Sequence, residues 1–598
     1  MLSNNSFNFL LNKALLFSLI LLLCLGIFFR FANLESKIFW VDEVSTLVRV
    51  SGYTVPEVNQ DLAAKDIVKK SDLLAYQKFG LDKNFSDSLA AFKQSPEHAP
   101  LYFLLARGWL KLWGNSITTV RSLSVFLSLL IFPCLYWLCQ ELFNKPAISS
   151  LAVVLMSVSP FYVAYAQEAR PYSLWTTAIL LMGASFIRAV RVNNKASWLL
   201  YSLSLIIGFY TSLLSIYIGL FFSIYLCFAS FKHKWQIIKS CSISSLISLL
   251  VFAPWILVIL QNIELLDSNT SWMRTSLNLA DIVAVFVGTI LLIFGDLPIS
   301  DTADPIQIAI ALIAIILILL VTSFVWLKIP YLVQKDRFKQ SAIQTTLVFI
   351  VGLGLMLSIN YIKSDIVTLI GALIAICILS LASYSLYFLI ATTHYNVWLF
   401  VVCLMLSVPV PLVLSDIINQ GQSSATPRYL IPFQLAIQIA ASYTLGSKLF
   451  TLPKLSFKSK KLWQLVTIMF ISLGVFSCIR NMNISPIYQK SRNVNNTAIA
   501  YVINQKSQPL LIAEANEAMD ILSLAYSLSS ETSFRVIKDE SEIAKYLNDF
   551  DSIFLLKPSV ELKNKLQQNP NIKITKVYQP RLYSADAIAL DLWSIEQL

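Results

Sequence analysis

The sequence predicts an α-helical polytopic membrane protein with about thirteen transmembrane helices and a small C-terminal α/β domain. Three observations carry this. Of the 598 residues, 56% are hydrophobic and 13% are charged, against about 45–50% and about 25% in soluble domains. Uninterrupted apolar runs such as Ile306 to Val325 hold no charge over the ~20 residues that a bilayer-spanning helix needs. The basic residues gather in short loops between such runs, as in Arg188, Arg191 and Lys195, or Lys454, Lys458, Lys460 and Lys461. That clustering is the positive-inside pattern, so the net charge of +12 reads as a topology signal, and no nucleic-acid partner is expected.

The elements follow in order. The apolar run Phe9 to Phe29 is followed by Arg30 and Phe31 with no small-residue cleavage site, so it reads as a retained first span. Residues 30–116 form a large outer loop. Within it Phe85, Leu89 and Phe92 recur at helical spacing near 84–94. Residues 99–113 are apolar but short, with Arg107 and Lys111 on one face, which suits an interfacial helix. Further spans read at 117–140, 146–166, 171–190, 196–212, 213–230, 237–260, 305–328, 342–361, 364–390, 396–415, 428–448 and 462–480. The segment 279–297 is ambiguous and is assigned to the outer interface.

A cytoplasmic N-terminus places the basic loops 188–195, 231–239, 328–339 and 449–461 all inside. The loop 261–304, with Asp267, Asp281, Asp296, Asp301 and Asp304, then falls outside. This divides the chain into a membrane domain, 1–482, and an extracytoplasmic C-terminal domain, 483–598. In the tail, β-rich runs at Leu510–Ala513, Phe534–Lys538, Ile553–Leu556, Ile572–Tyr578 and Ala587–Trp593 alternate with helix-like stretches. No phosphate-loop or dinucleotide signature accompanies them. The eight cysteines lie in or beside apolar segments without a CxxC pair, so neither a disulfide framework nor a zinc ribbon is expected.

Chemistry-bearing residues concentrate on the outer side. Asp42 and Glu43 follow Phe39 and Trp40, an interfacial anchor. A carboxylate there is either a solvated loop charge or a base able to take a proton from an acceptor hydroxyl. Gln167-Glu168-Ala169-Arg170-Pro171-Tyr172 is wedged between two apolar spans, where charges are paired or functional. A Glu168–Arg170 or Asp42–Arg170 pair is the structural alternative. His98, in Glu97-His98-Ala99-Pro100-Leu101-Tyr102, could bind phosphate, donate a proton or cap a helix. Arg121 and Arg428-Tyr429 open later spans on the same side. They either snorkel to headgroups or clamp a phosphate through the planar guanidinium fork.

The ordered set, an Asp-Glu pair after the first span, His-x-Pro-Leu-Tyr, an Arg opening the next span, Glu-Ala-Arg-Pro-Tyr and a late Arg-Tyr-Leu-Ile-Pro, resembles the bacterial glycosyltransferase family 39-like proteins of the GT-C superfamily. These are relatives of the protein O-mannosyltransferases and of the lipid A aminoarabinose transferase. The resemblance spans residues 1 to about 480 and is most specific over 39–172. His98-Ala99-Pro100-Leu101-Tyr102-Phe103 and Arg121-Ser122-Leu123-Ser124 depart from the family's usual H-P-P-L-Y-Y and R-L-P-S.

The resemblance implies a plasma-membrane glycosyltransferase that moves a sugar from a polyprenyl-phosphate donor to a lipid, glycan or protein hydroxyl on the extracytoplasmic face, with inversion. It implies Asp42 as catalytic base, with Glu43 beside it and Glu168 as second acid. His98, Tyr102, Arg121, Arg170, Tyr172, Arg428 and Tyr429 are the implied donor and phosphate contacts. Adjacent carboxylates can hold Mg²⁺ or Mn²⁺, so a divalent metal stays open beside a metal-free reaction. The rival class is a transporter or flippase of a lipid-linked saccharide. Against it, the hydropathy shows no internal repeat of the kind transporters are often built from.

Overall fold

The structure, a computed structural model, describes residues 4–79, 82–274, 279–296, 366–451, 457–483, 487–580 and 590–597. The expected spans at 305–328 and 342–361 lie outside these residues. Helix α1 (Asn4–Phe31) leads to the short helix α2 (Val41–Ser51). Helix α3 (Leu101–Trp113) follows, and then α4 (Ile117–Leu129), whose span continues to Phe143. Next come α5 (Pro146–Ser157), α6 (Pro160–Ala166) and α7 (Tyr172–Val192). Helix α8 (Leu279–Phe294), α9 (Ile431–Gly446) and α10 (Phe457–Arg480) belong to the later bundle.

Among the described residues six helices are long and apolar enough to cross a membrane. The pair α5–α6, bent by 62°, makes a seventh if it is counted as one span. Outward faces keep large apolar side chains uncovered, for example Leu250 and Ile468, as lipid contact requires.

The bend between α5 and α6 shows how the bundle is tied. Pro160 starts a new helix and lacks an N–H, so carbonyls at the end of α5 lose their helical partners. Arg30, fully buried at the end of α1, takes them: Nη1 donates to Ser157 O at 2.6 Å and Nη2 to Met156 O at 3.2 Å. From α10, Cys478 Sγ donates to Val158 O at 3.4 Å, and Ser159 Oγ donates to Ile293 O of α8 at 2.6 Å. Broken helices survive at membrane depth only with such replacement partners.

Two expectations change. The segment assigned to the outer interface is α8, which packs among α6, α9, α10 and the helix Ile366–Thr392. Its Thr289, Ile293 and Phe294 are buried in the bundle, because its apolar surface runs all round and finds helices on several sides. The tail is also less separate than a boundary at 483 suggests. Its strands β2 (Leu510–Glu514), β3 (Ser533–Ile537), β4 (Ile553–Leu556), β5 (Ile572–Tyr578) and β6 (Leu592–Gln597) are joined at the edge by β1 (Val68–Lys69) from the large loop. The order is β1-β3-β2-β4-β6-β5, with β2 parallel to β3 and β4 and the other pairings antiparallel. One continuous apolar core runs from α2 and the bundle into Leu522 and Phe534 of the tail. The surface helix expected near 84–94 is present as Phe85–Lys93, and α3 buries Tyr102, Phe103, Ala106 and Leu110 while exposing Leu112 and Trp113.

Gly26 lets α1 approach the bend: a Cβ there would sit 2.5 Å from Ser157 O. Gly26→Val is therefore expected to destabilise the fold by about 1–3 kcal/mol through overpacking. Thermal unfolding of purified protein in detergent checks this against Gly288→Ala, where a Cβ meets nothing within 4 Å.

Candidate active site

The site is built on α2. Its first turn carries Asp42 and Glu43, which favour the positive end of the helix dipole, and Gly52 ends it in the left-handed conformation at φ 103°. Val44, Leu47 and Val48 face the core. Asp42, Thr46 and Arg49 recur at i, i+4 and i+7, so they share a different face.

Neighbouring acids on a helix point about 100° apart, and here that divides their roles. Glu43 is fully buried and accepts four hydrogen bonds. Oε1 receives Arg121 Nε at 2.8 Å and the Ala169 N–H at 2.9 Å; Oε2 receives Arg121 Nη2 at 2.7 Å and Lys490 Nζ at 2.9 Å. Burial opposes its ionised form, but Arg121 and Lys490 outweigh burial and hold it at about 2. The guanidinium of Arg121 is equally committed. Its other three N–H groups reach the carbonyls of Leu34, Lys37 and Ile38, which uses all five donors.

Both residues are thus removed from substrate: Glu43 has no acceptor position left to serve as a base, and Arg121 has no donor left for a phosphate. Tyr102 is also withdrawn. It is fully buried, and its hydroxyl pairs with Ser124 at 2.7 Å.

Asp42 is about a quarter exposed. Its Oδ2 lies 3.8 Å from Arg170 Nε and 3.8 Å from Arg428 Nη2, loose pairings with both. Nε of Arg170, Nε of Arg428, and Nε and Nη1 of Arg49 are buried without a hydrogen-bond partner. Arg49 is pulled down to about 10, chiefly by burial, and stays charged at neutral pH. The guanidinium of Arg428 is ringed by aromatic faces, 5.5 Å from the Trp40 ring centre, 5.9 Å from Tyr172 and 5.6 Å from Tyr429. Its loop is fixed by Asp416, whose carboxylate accepts from Ser423 N, Ser423 Oγ and Ser424 N.

His98 packs beside Phe103 with ring centres 5.7 Å apart. Burial, then the charges of Arg170, Arg49 and Arg428, push it well below the usual imidazole range, so it is neutral at pH 7. Glu168 lies fully buried under Trp40, whose indole N–H donates at 3.2 Å, while Gln489 Nε2 donates at 2.5 Å. Burial, then the negative charge of Glu43, raises it to about 7.

The structure therefore brings Asp42, His98, Glu168, Arg170, Tyr172, Arg428 and Tyr429 to one end of the bundle, and adds three residues that sequence reasoning missed. Arg49 had a signal, its helical register with Asp42. Gln489 and Lys490, more than 300 residues away in the chain, had none. A divalent cation does not fit these groups: Glu43 is saturated, Asp42 faces two guanidinium groups, and Glu168 is held by two donors. Among the described residues no three His, Cys, Asp or Glu side chains gather as a metal-binding group.

Residues 97–258 match the family described as dolichyl-phosphate-mannose-protein mannosyltransferase. That segment contains His98, Arg121, Glu168 and Arg170, and over it the GT-C resemblance drawn from the motif order is supported. No curated protein matches the sequence. Among solved structures, the chain is similar to ArnT from Cupriavidus metallidurans bound to undecaprenyl phosphate, at 13% identity and TM-score 0.40, covering 96% of this chain and 97% of that one. It is also similar to the apo oligosaccharyltransferase of Archaeoglobus fulgidus, at 10% identity and TM-score 0.43, covering 90% and 69%.

Arg121→Met would leave Glu43 a buried anion short of its main partner. A loss of about 3–5 kcal/mol is expected, read as a lower melting temperature and a depleted monodisperse fraction. Arg428→Met strips no hydrogen bond from a buried carboxylate and should melt close to wild type. Equal losses from the two changes would contradict this division of the arginines.

Proposed function

We propose that the protein is an integral membrane glycosyltransferase that moves a sugar from a polyprenyl-phosphate donor to an acceptor hydroxyl by inverting single displacement. The observation that carries it is Asp42, a partly exposed carboxylate set among three arginines whose buried donors are unsatisfied. A base for a hydroxyl and a cradle of arginine donors for a phosphate face one site, which a glycosyl phosphate donor needs. The family matched over 97–258 is described by a dolichyl-phosphate-linked mannose, which supports a lipid-phosphate donor.

Asp42 accepts the proton of the acceptor O–H as its oxygen forms the new bond to the anomeric carbon. The bond from that carbon to the phosphate oxygen breaks, and the electron pair leaves on the phosphate. Arg49, Arg170 and Arg428 take up the developing charge, as preorganised donors in a dry site do. Their charges serve where a metal would otherwise be required. Neutral His98 can donate a further hydrogen bond to the phosphate. Ionised Glu168 supplies negative field for the positive charge that builds on the sugar.

The site faces the extracytoplasmic side of a plasma membrane. Helix α7 starts beside Arg170 and carries Arg191 in its last turn, a rise of about 30 Å for its length. The basic loops 188–195 and 231–239 accordingly lie at the far end, and the positive-inside rule makes that end cytoplasmic.

Transfer of radiolabelled sugar from polyprenyl-phosphate donors, in membranes matched for expression, tests this. Asp42→Asn should lower kcat by about 10²–10⁴. Arg49→Met should lower kcat/KM by about 10–100-fold, the worth of a charged hydrogen bond to the leaving group. EDTA should leave the wild-type rate unchanged. Full activity in Asp42→Asn removes it as the base. Since Glu168 sits at about 7, the wild-type rate should fall as pH drops below about 7 and Glu168 is protonated. A profile flat from pH 6 to 8 would show that its charge is not used.

A further inference from the structure

The first turn of α2 carries the base, yet the residue before it gives no cap. Trp40, at the N-cap position, has no side-chain oxygen, so the Val41 N–H is one of the orphan donors of a helix start. Its partner is Asn493 Oδ1, 2.9 Å away. Lys490 Nζ donates to the Ile38 carbonyl at 2.5 Å as well as to Glu43 at 2.9 Å. Gln489 Nε2 donates to Glu168 and, at 2.8 Å, to Ala164 O. All three polar groups come from one short stretch of the tail, entered through the turn of helix Ile487–Lys490.

That stretch is itself fixed from behind. Asp520, fully buried on the helix Ala518–Ala525, receives Arg492 through Nη2 at 2.5 Å and Nε at 3.0 Å, and Asn493 Nδ2 at 3.0 Å. Ser523 on the same helix donates to the Phe39 carbonyl at 2.7 Å. The chain on either side of the site, 38–43 and 164–169, is thus held from a tail with no catalytic motif of its own.

We propose that segment 489–493 is part of the catalytic apparatus, with Gln489, Lys490 and Asn493 as positioning residues that set Asp42 and Glu168 in place. This rests on the reading of Asp42 as base. Lys490 acts through Glu43 and Ile38, Asn493 through the first turn of α2, and Gln489 through Glu168. None of them reaches substrate. Their removal should therefore act on the chemical step and spare donor affinity, since a displacement on the order of 1 Å in a reacting group can cost about 10²-fold.

The experiment uses the full chain in membranes, with initial rates from a polyprenyl-phosphate sugar donor for Lys490→Met, Lys490→Arg, Asn493→Ala and Gln489→Leu. Lys506→Met, an exposed lysine of the tail, serves as control. The expected result is a kcat at least about tenfold lower in Lys490→Met and Asn493→Ala, with donor KM within about twofold. Lys490→Arg should recover part of the loss, because a guanidinium restores the charge and donors facing Glu43. Folded Lys490→Met and Asn493→Ala enzymes with wild-type kcat, or with KM raised and kcat unchanged, overturn the inference. If Lys490→Met yields no folded protein, Asn493→Ala and Gln489→Leu decide it by the same split. A fully active Asp42→Asn enzyme would instead sink the base assignment, so the two failures are distinguishable.

Discussion

Glu43 holds a negative charge where no water reaches it, and four donors must converge to keep it there. Those donors come from α4 through Arg121, from the turn before α7 through Ala169, and from the tail through Lys490. The four donors come from three separate parts of the chain, two of them from Arg121, so one carboxylate fixes the mutual position of the loop, the bundle and the tail. An isolated buried carboxylate is unaffordable, which makes the arrangement all-or-none: the partners cannot drift independently. Arg121 extends the constraint by gripping three carbonyls of residues 34–38, the stretch that delivers α2.

From this follows a division of labour among like residues. Arg121 is saturated by carbonyls and carboxylate, and Arg30, which gives both terminal nitrogens to the carbonyls of Gly26, Met156 and Ser157, joins it as a bolt. Arg49, Arg170 and Arg428 retain buried donors without acceptors and can meet a ligand. The acids divide the same way: adjacency in sequence places Asp42 and Glu43 together, but helix geometry turns one toward the cradle and the other into the protein.

How much of this the sequence made legible depends on the range of the interaction. Span positions follow from local hydropathy, and helices within the described residues fall close to where apolar runs place them. Strands β2 to β5 lie within about a residue of their β-rich runs, since alternation and β-branched content are local properties. The last strand is shifted to Leu592–Gln597. Two-residue β1 leaves no pattern to read and exists because β3 offers an edge. Motif order singled out Asp42, Glu168, Arg170 and Arg428, but it could not tell a saturated arginine from one with donors left over, because saturation is set by residues far off in sequence. The contributions of Gln489 and Lys490 were illegible for the same reason. The tail offered composition and alternation, while its role lies in contacts separated by 321 and 447 residues.

That separation also sets a clock. At the ~5–20 residues per second of protein synthesis, Lys490 is made about 20–90 s after Glu43. Until then the nascent chain can insert most of its helices while its central carboxylate has Arg121 but lacks its second cation, and the edge of β1 lacks a strand. A message cut short before residue 489 would encode the helices of the bundle without the bonds that Gln489 and Lys490 bring to Glu168, Ile38 and Glu43.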